Sequence, residues 1–292
     1  MKKLALIMLP TLALAACAQP GTPAPTAPAG QIAYGLTTSG RVATFGMDNP
    51  AASVSSVAIT GVASGESVVD IDVRNTDNRL YGVTGAGKVY VIDPMTGAAT
   101  ADGTSVTSSG VVAADFNPVA NRLRVIGQND ANFRLTVNSA PVPAASPAGT
   151  LTADGTFAFT SGTANPNLAS AAYTNSFDNS ASGAVTTGTT TALYSVDADT
   201  DQLIVHSNNT TATPALPTGN FSSLSSVGAL GTDISVGMTG FDIAGASSAF
   251  LSSAMNGSTT LYTVDLATGA ATSKGTLSGT ALTSLALKLA AQ

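Results

Sequence analysis

The chain has one Cys, one His, one Glu and no Trp among 292 residues, and each scarcity removes a class of chemistry. A single Cys cannot close an internal disulfide, and one Cys with one His cannot furnish a zinc site built from such ligands. Glu66 alone weakens a glycosidase reading, although paired Asp residues serve the same chemistry in principle. Basic residues are also few. The 11 Lys and Arg face 17 Asp and Glu, a net charge of −6 with a pI near 4.5, so the attraction to polyanions behind non-specific nucleic-acid binding is missing and DNA and RNA are poor candidates as partners. No Gly-x-x-x-x-Gly-Lys-Ser/Thr loop, Gly-x-Ser-x-Gly elbow or His-Glu-x-x-His helix occurs, and the sequence leaves open whether the protein is an enzyme.

What is present begins with an address. Lys2 and Lys3 precede a run from Leu4 to Ala16 that only Pro10 and Thr11 interrupt, which reads as a signal peptide and is too short to span a bilayer. Leu14-Ala15-Ala16-Cys17 resembles the lipobox of bacterial lipoproteins, which implies cleavage after residue 16 and acylation of Cys17, ending any redox or nucleophilic role for that thiol. Ala18 stands where an Asp would be the inner-membrane retention signal, and this favours the outer membrane. Gln19 to Gly30 carries Pro20, Pro23, Pro25 and Pro28 among small residues, a composition that stays extended. The reading is therefore a signal peptide over 1–16, an acylated Cys and Pro-rich tether over 17–30, and a folded body over 31–292. Loss of Lys2 and Lys3 with the signal leaves 9 basic residues against 17 acidic ones, a charge of −8 that repels anionic headgroups and leaves membrane attachment to the acyl chains.

Helical periodicity is nearly absent from the body, and Gly, Ser, Thr, Asn and Asp break every short apolar run, so it reads as all-β. Val89 to Gly97, Leu193 to Asp201 and Leu261 to Gly269 look like copies of one unit, a strand running into an Asp-x-x-Thr-Gly turn. Asp and Thr can bond backbone amides two residues on, and Gly accepts the positive φ that completes the hairpin loop. A second repeated segment contains Val69 to Val73 with Asn78-Arg79-Leu80-Tyr81, and Ala114 to Asn117 with Asn121-Arg122-Leu123-Arg124. Aligning Asp72, Asp115, Ala172, Asp242 and Ala286 gives intervals of 43, 57, 70 and 44 residues. The two short intervals match a four-stranded propeller blade, and the two long ones call for insertions, placed at Asn175 to Gly188 and Asn208 to Ser226. The last strand, Ala281 to Leu289, lacks a hairpin, while Ile32 to Leu36 and Arg41 to Phe45 form a hairpin lacking its first strand; the two complete one another. Five anchors then predict a five-bladed β-propeller closed by N- and C-terminal strands, with a β-sandwich as the alternative.

The runs Asp115 to Val125, Ala171 to Asn175 and Gly240 to Ile243, with the Leu-Tyr-x-Val-Asp-x-x-Thr-Gly hairpins, resemble a secreted bacterial family catalogued as domain of unknown function four-three-nine-four. The likeness covers about residues 31 to 289. It implies a propeller-like body and a cell-envelope setting, and no chemistry.

Asp70, Asp72, Asp115 and Asp242 fall on strands that would be innermost, so their carboxylates could converge on the central channel and hold a calcium-like cation. The reading preferred is the plainer one, in which each Asp accepts hydrogen bonds from amides of a neighbouring turn. Asp197 to Asp201 opens like an EF-hand loop but has Gln202 and Asn208 where Gly and Glu are required, so it reads as a turn. His206 is the sole imidazole; with Met238, Met255 or a carboxylate it is a copper candidate, against the default of a structural histidine. Arg122, Arg124 and Arg134 are either a small basic patch or, better, solvated arginines on strand edges. The first functional expectation is a lipid-anchored, non-enzymatic envelope protein that touches membrane lipid through Cys17 and presents loops to an envelope or surface-layer protein. The second is an extracytoplasmic copper-dependent oxidoreductase such as a superoxide dismutase, with His206, Asp72, Asp115 and Asp242 as the metal candidates.

Overall fold

The structure, a computed structural model, describes residues 24–107, 110–162 and 164–292. Cys17 and the signal segment lie outside the described residues. Strands β1 (Ile32–Thr37), β2 (Arg41–Gly46) and β3 (Ser55–Ala58) come first, with a one-turn helix α1 (Pro50–Ser53) between the last two. The second blade is β4 (Val68–Arg74), β5 (Arg79–Thr84), β6 (Lys88–Ile92) and β7 (Ala99–Ser105), and the third is β8 (Val111–Asn117), β9 (Arg122–Gly127), β10 (Ala131–Leu135) and β11 (Leu151–Thr156). After the short β12 (Ala158–Phe159), the fourth blade is β13 (Leu168–Tyr173), β14 (Leu193–Asp197), β15 (Gln202–Ser207) and β16 (Ser223–Ala229), with β12 added to its outer edge. The fifth is β17 (Thr239–Ala244), β18 (Ser248–Met255), β19 (Ser258–Val264) and β20 (Ala271–Leu277). The final strand, β21 (Leu282–Leu287), pairs antiparallel with β1 and completes the first sheet in the order β21-β1-β2-β3. The molecule is thus a five-bladed propeller whose ring is closed by its two chain ends, and the five aligned anchors all fall on the innermost strands. Among the described residues no helix is long and apolar enough to cross a membrane.

Burial grades outward along each blade. All six residues of β13 and of β17 are buried, whereas β3, β7 and β20 at the rim are mostly exposed. Adjacent blades stack face to face through apolar layers: Tyr81, Val83, Phe116 and Val125 between the second and third, for example, and Val196, Leu203, Ile243 and Leu251 between the fourth and fifth. Five strands converging on one axis crowd their backbones, so small residues prevail there: Ala113, Ala114, Ala169, Ala171, Ala172, Gly240 and Ala286 are all buried. Gly240 marks the tightest approach, for a Cβ at that position would meet Leu285 N at 2.2 Å and the Ser284 carbonyl carbon at 2.5 Å.

The expected insertion at Asn175 to Gly188 lies between β13 and β14 and crosses the axial end of the disc. Ser176 exchanges backbone hydrogen bonds with Gly245, Asp178 N donates to Ala290 O, Asn179 N donates to Asn75 O, and Thr187 N donates to Pro118 O. This cap therefore touches the four other blades. The second expected insertion is shorter than predicted: only 208–222 is loop, because Ser223 begins β16. The N-terminal segment also departs from the tether reading. From Thr26 onward it is pinned, with Thr26 N and Oγ1 donating to Ala52 O, Ala29 N to Asn49 Oδ1 at 2.8 Å, and Gln31 Nε2 to Lys288 O at 2.6 Å. These contacts put the incoming chain on the cap face; the opposite, connector face carries the blade-to-blade crossovers and the turns after the second strand of each blade.

Gly240→Ala is expected to cost about 3 kcal/mol through overpacking against β21. Gly188→Ala, where nothing lies within 4 Å of the new methyl, should leave the urea midpoint unchanged. Equal midpoints for both variants would contradict the crowded axis.

Candidate functional site

The axial strands are joined by a ring of side-chain hydrogen bonds that follows one register rule. A side chain at a given level accepts the backbone N–H one residue beyond the equivalent position in the next blade. At the anchor level Asp72 Oδ2 accepts from Phe116 N at 2.7 Å, Asp115 Oδ1 from Tyr173 N at 3.0 Å, and Asp242 Oδ2 from Leu287 N at 2.6 Å. Two residues earlier, Asp70 Oδ2 accepts from Ala114 N at 2.5 Å, Ser170 Oγ from Phe241 N at 3.0 Å, and Ser284 Oγ from Ile71 N at 3.2 Å. Each of the five blade junctions has at least one such clasp, and the junction from the second blade to the third has two. The plainer sequence reading holds in kind but not in place: the amides belong to the adjoining blade, not to a neighbouring turn. Ser170 and Ser284 escaped notice because Ser is common in this chain, although both stand two residues before aligned anchors, as Asp70 does.

One oxygen from each of Asp72, Asp115 and Asp242 lies within 4.8 Å of the others, and all three residues are buried. Burial raises Asp70 and Asp242 to about 7. Burial, followed by the charge of Asp242, lifts Asp72 well above the ordinary carboxylate range, and burial with the charges of Asp72 and Asp242 does the same for Asp115. Such a trio must share protons or an oxygen-seeking cation, since three bare charges this close in a desolvated site repel strongly.

His206 does not join them. It lies on β15 in the fourth blade, where Nδ1 donates to Phe221 O at 2.9 Å and Nε2 accepts from Ser195 Oγ at 2.7 Å. The carbonyl can only accept, which fixes the neutral tautomer; burial pushes the imidazole down to about 3, and the ring packs edge-on against Phe157. Both nitrogens are thus occupied, and the grouping of His206 with the aspartates is corrected. Met255, offered as a companion ligand, ends β18 beside its turn into β19 in the fifth blade and is 55% exposed.

The arginines likewise differ from both sequence readings, since they form neither a surface patch nor a solvated edge. Arg122, Arg124 and Arg134 are buried, and Asp154 between the last two accepts from Arg134 Nε at 2.5 Å and Arg124 Nη1 at 3.3 Å. The Asp197 segment is a turn, as read: Asp197 Oδ1 accepts from Thr200 N and Oγ1, and Asp201 has a positive φ of 52° as Gly97 and Gly269 do, but it is not a copy of their hairpins, because it joins the second and third strands of its blade and theirs join the third and fourth.

The family model described as Domain of unknown function (DUF4394) matches residues 41–286. The chain belongs to this family. Among solved structures, this DUF4394 chain is similar to a structural-genomics protein of unknown function from Bacteroides thetaiotaomicron, at 14% identity and a TM-score of 0.46. That match covers 84% of this chain and only 57% of the other. A protein from Lactobacillus plantarum is similar at 14% identity and a TM-score of 0.37, with 88% and 71% coverage. No curated protein matches the DUF4394 chain.

Two outcomes follow from this geometry. Asp70 and Asp242 bind protons more tightly folded than unfolded, so their stabilising contribution is complete below about pH 4 and is lost as pH rises through about 7. In chelator-containing buffer the melting temperature should fall between pH 5 and pH 8, and Asp242→Asn should flatten that fall; a flat wild-type profile would count against buried, proton-sharing carboxylates. Asp154→Ala leaves two guanidinium groups buried without a counter-charge and should cost about 3–5 kcal/mol by urea denaturation.

Proposed function

We propose that this propeller is a lipid-anchored, non-catalytic component of the bacterial cell envelope, in the outer membrane, that presents its connector face to another envelope or surface-layer protein. The observation that carries the reading is the docked N-terminal segment on the cap face. Cys17 precedes Thr26 by nine residues, so an acylated Cys17 holds the cap side of the disc within about 30 Å of the bilayer. The connector face is then turned outward. Among the described residues, two of the three exposed large apolar side chains, Val236 and Met255, lie on that face, at 42% and 55% exposure, as anchors for a protein partner. The ionisable side chains that a catalyst would draw on are instead engaged as fasteners: the axial aspartates hold neighbouring blades, His206 ties two strands to a loop, and the arginines grip loop carbonyls. Propellers of this kind supply a rigid frame whose loops carry recognition.

The test is Cys17→Ala in cells. Wild-type protein should sediment with membranes and yield an acylated N-terminal peptide by mass spectrometry, whereas the variant should be recovered in the soluble fraction. A photo-crosslinker at Met255 should capture an envelope protein, and one at Met95 on the β6–β7 turn should not. Soluble wild-type protein with no acyl mass would overturn the anchoring, and equal capture from both positions would overturn the orientation.

A further inference from the structure

On the connector face a cleft of about 460 Å³ opens between the third and fourth blades. One wall is the β9–β10 turn, with Gln128, Asn129 and Asp130; the other combines Asn165 and Asn167 before β13 with Asp199 of the β14–β15 turn. Its floor is apolar, formed by Val112, Ile126, Phe157 and Leu168. Among the described residues no Lys, Arg or His lines it, so none of them would compensate a phosphate, sulfate or carboxylate.

Both walls are rigid. Asn129 and Asp130, with φ of 57° and 60°, are both left-handed in the three-residue turn that Gln128 opens between the paired Gly127 and Ala131, and Ala131 N donates to Gln128 O across it. Asn167 is fixed to the β14–β15 turn of its own wall three times: its N–H donates to Asp197 Oδ2 at 2.8 Å, its Nδ2 to Asp199 Oδ1 at 2.7 Å, and its carbonyl accepts from Ala198 N at 2.8 Å. The six polar side chains are four carboxamides and two carboxylates. Carboxamides both donate and accept, which suits hydroxyl groups, whereas a cation can use only their oxygens. Burial raises the Asp130 carboxyl, the sign of an acceptor facing a partly dehydrated space.

We propose that this cleft binds a neutral saccharide, its hydroxyls bridging the carboxamides and carboxylates of the two walls and a C–H face resting on the Ile126–Phe157–Leu168 floor. The inference is independent of lipid attachment, since the cleft is complete in the soluble body, and it adds a glycan to the protein partner proposed above. A mostly neutral polar lining with an apolar base is the composition of a small-molecule site whose few polar groups fix orientation.

The experiment is saturation-transfer NMR with cellotriose, maltotriose and chitotriose at millimolar concentration, with spermidine and inorganic phosphate as charged competitors. At least one trisaccharide should bind, and neither competitor should displace it. Asn129→Gly keeps the turn conformation while removing a wall, and Asp199→Ala removes the facing acceptor; each should weaken affinity about fivefold or more, the loss of roughly one hydrogen bond. Met95→Ala, away from the cleft, should have no effect. Melting curves for Asn129→Gly and Asp199→Ala keep a folding defect from passing for lost binding. The proposal is overturned by absence of transfer from all three sugars, by spermidine binding that displaces them, or by unchanged affinity in both wall variants.

Discussion

Everything in this molecule depends on one short-range interaction repeated around an axis: a side-chain oxygen of one innermost strand accepting a backbone N–H of the next. Innermost strands of a propeller do not pair edge to edge, so the amides they turn toward a neighbouring blade have no ladder partner. In a water-poor core each such donor would cost of order 1–3 kcal/mol unsatisfied. The clasps meet that demand with the shortest oxygen-bearing side chains, Asp and Ser, the ones that fit between backbones already close enough to require Gly240 and the axial alanines. Low aromatic content and a Ser- and Ala-rich composition are therefore consequences of this architecture.

The register rule has an electrostatic consequence. Where the clasp is Ser170 or Ser284 the donor is satisfied without charge, but at the anchor level of three junctions it is a carboxylate, and Asp72, Asp115 and Asp242 come together. The amide bonds favour ionisation while burial and mutual repulsion oppose it, and the second effect prevails, which is why these groups are held above the ordinary range. The same three residues that bind the blades together thus also repel one another. Replacing one by Ala would remove a clasp and the repulsion at once, so stability data on single variants measure a difference between the two.

Repetition made much of this legible in advance. A side chain whose role recurs in each blade leaves a period in the sequence, and the anchors at 72, 115, 172, 242 and 286 located all five inner strands, their number and the closure of β21 onto β1. What the period does not contain stayed hidden. His206 occurs once, so nothing in the sequence pattern says that its two nitrogens face Ser195 and Phe221. The arginines follow the repeated Asn-Arg-Leu pattern only in part, and their burial depends on loops that have no counterpart in other blades. Residues 26–30 read as tether by composition, yet Pro and small residues also suit an extended segment that lies along a sheet edge, and Asn49 supplies the contacts that decide between them.

Those arginines show how the irregular parts of a repeat protein are fastened. Regular blades stack by apolar faces, but an insertion arrives with carbonyl groups that no ladder accepts and little apolar surface to bury. A guanidinium group offers five donors in a rigid fork and can satisfy several carbonyls from within the regular frame. Arg74 donates to the carbonyls of Ser139 and Pro141, Arg122 to that of Thr150, Arg124 to Gly219 and Asn220, and Arg134 to Thr218. The segments held this way are the long β10–β11 connection and the β15–β16 insertion that stretches the repeat interval. The cap between β13 and β14 is fixed instead by backbone exchange and by Asn75, Asn78 and Asn179, which suits a segment lying directly over the acidic axis end. In a chain with so few basic residues, placing four arginines inside is a large commitment, and it goes to holding the loops whose shapes distinguish this propeller from a bare ring of blades.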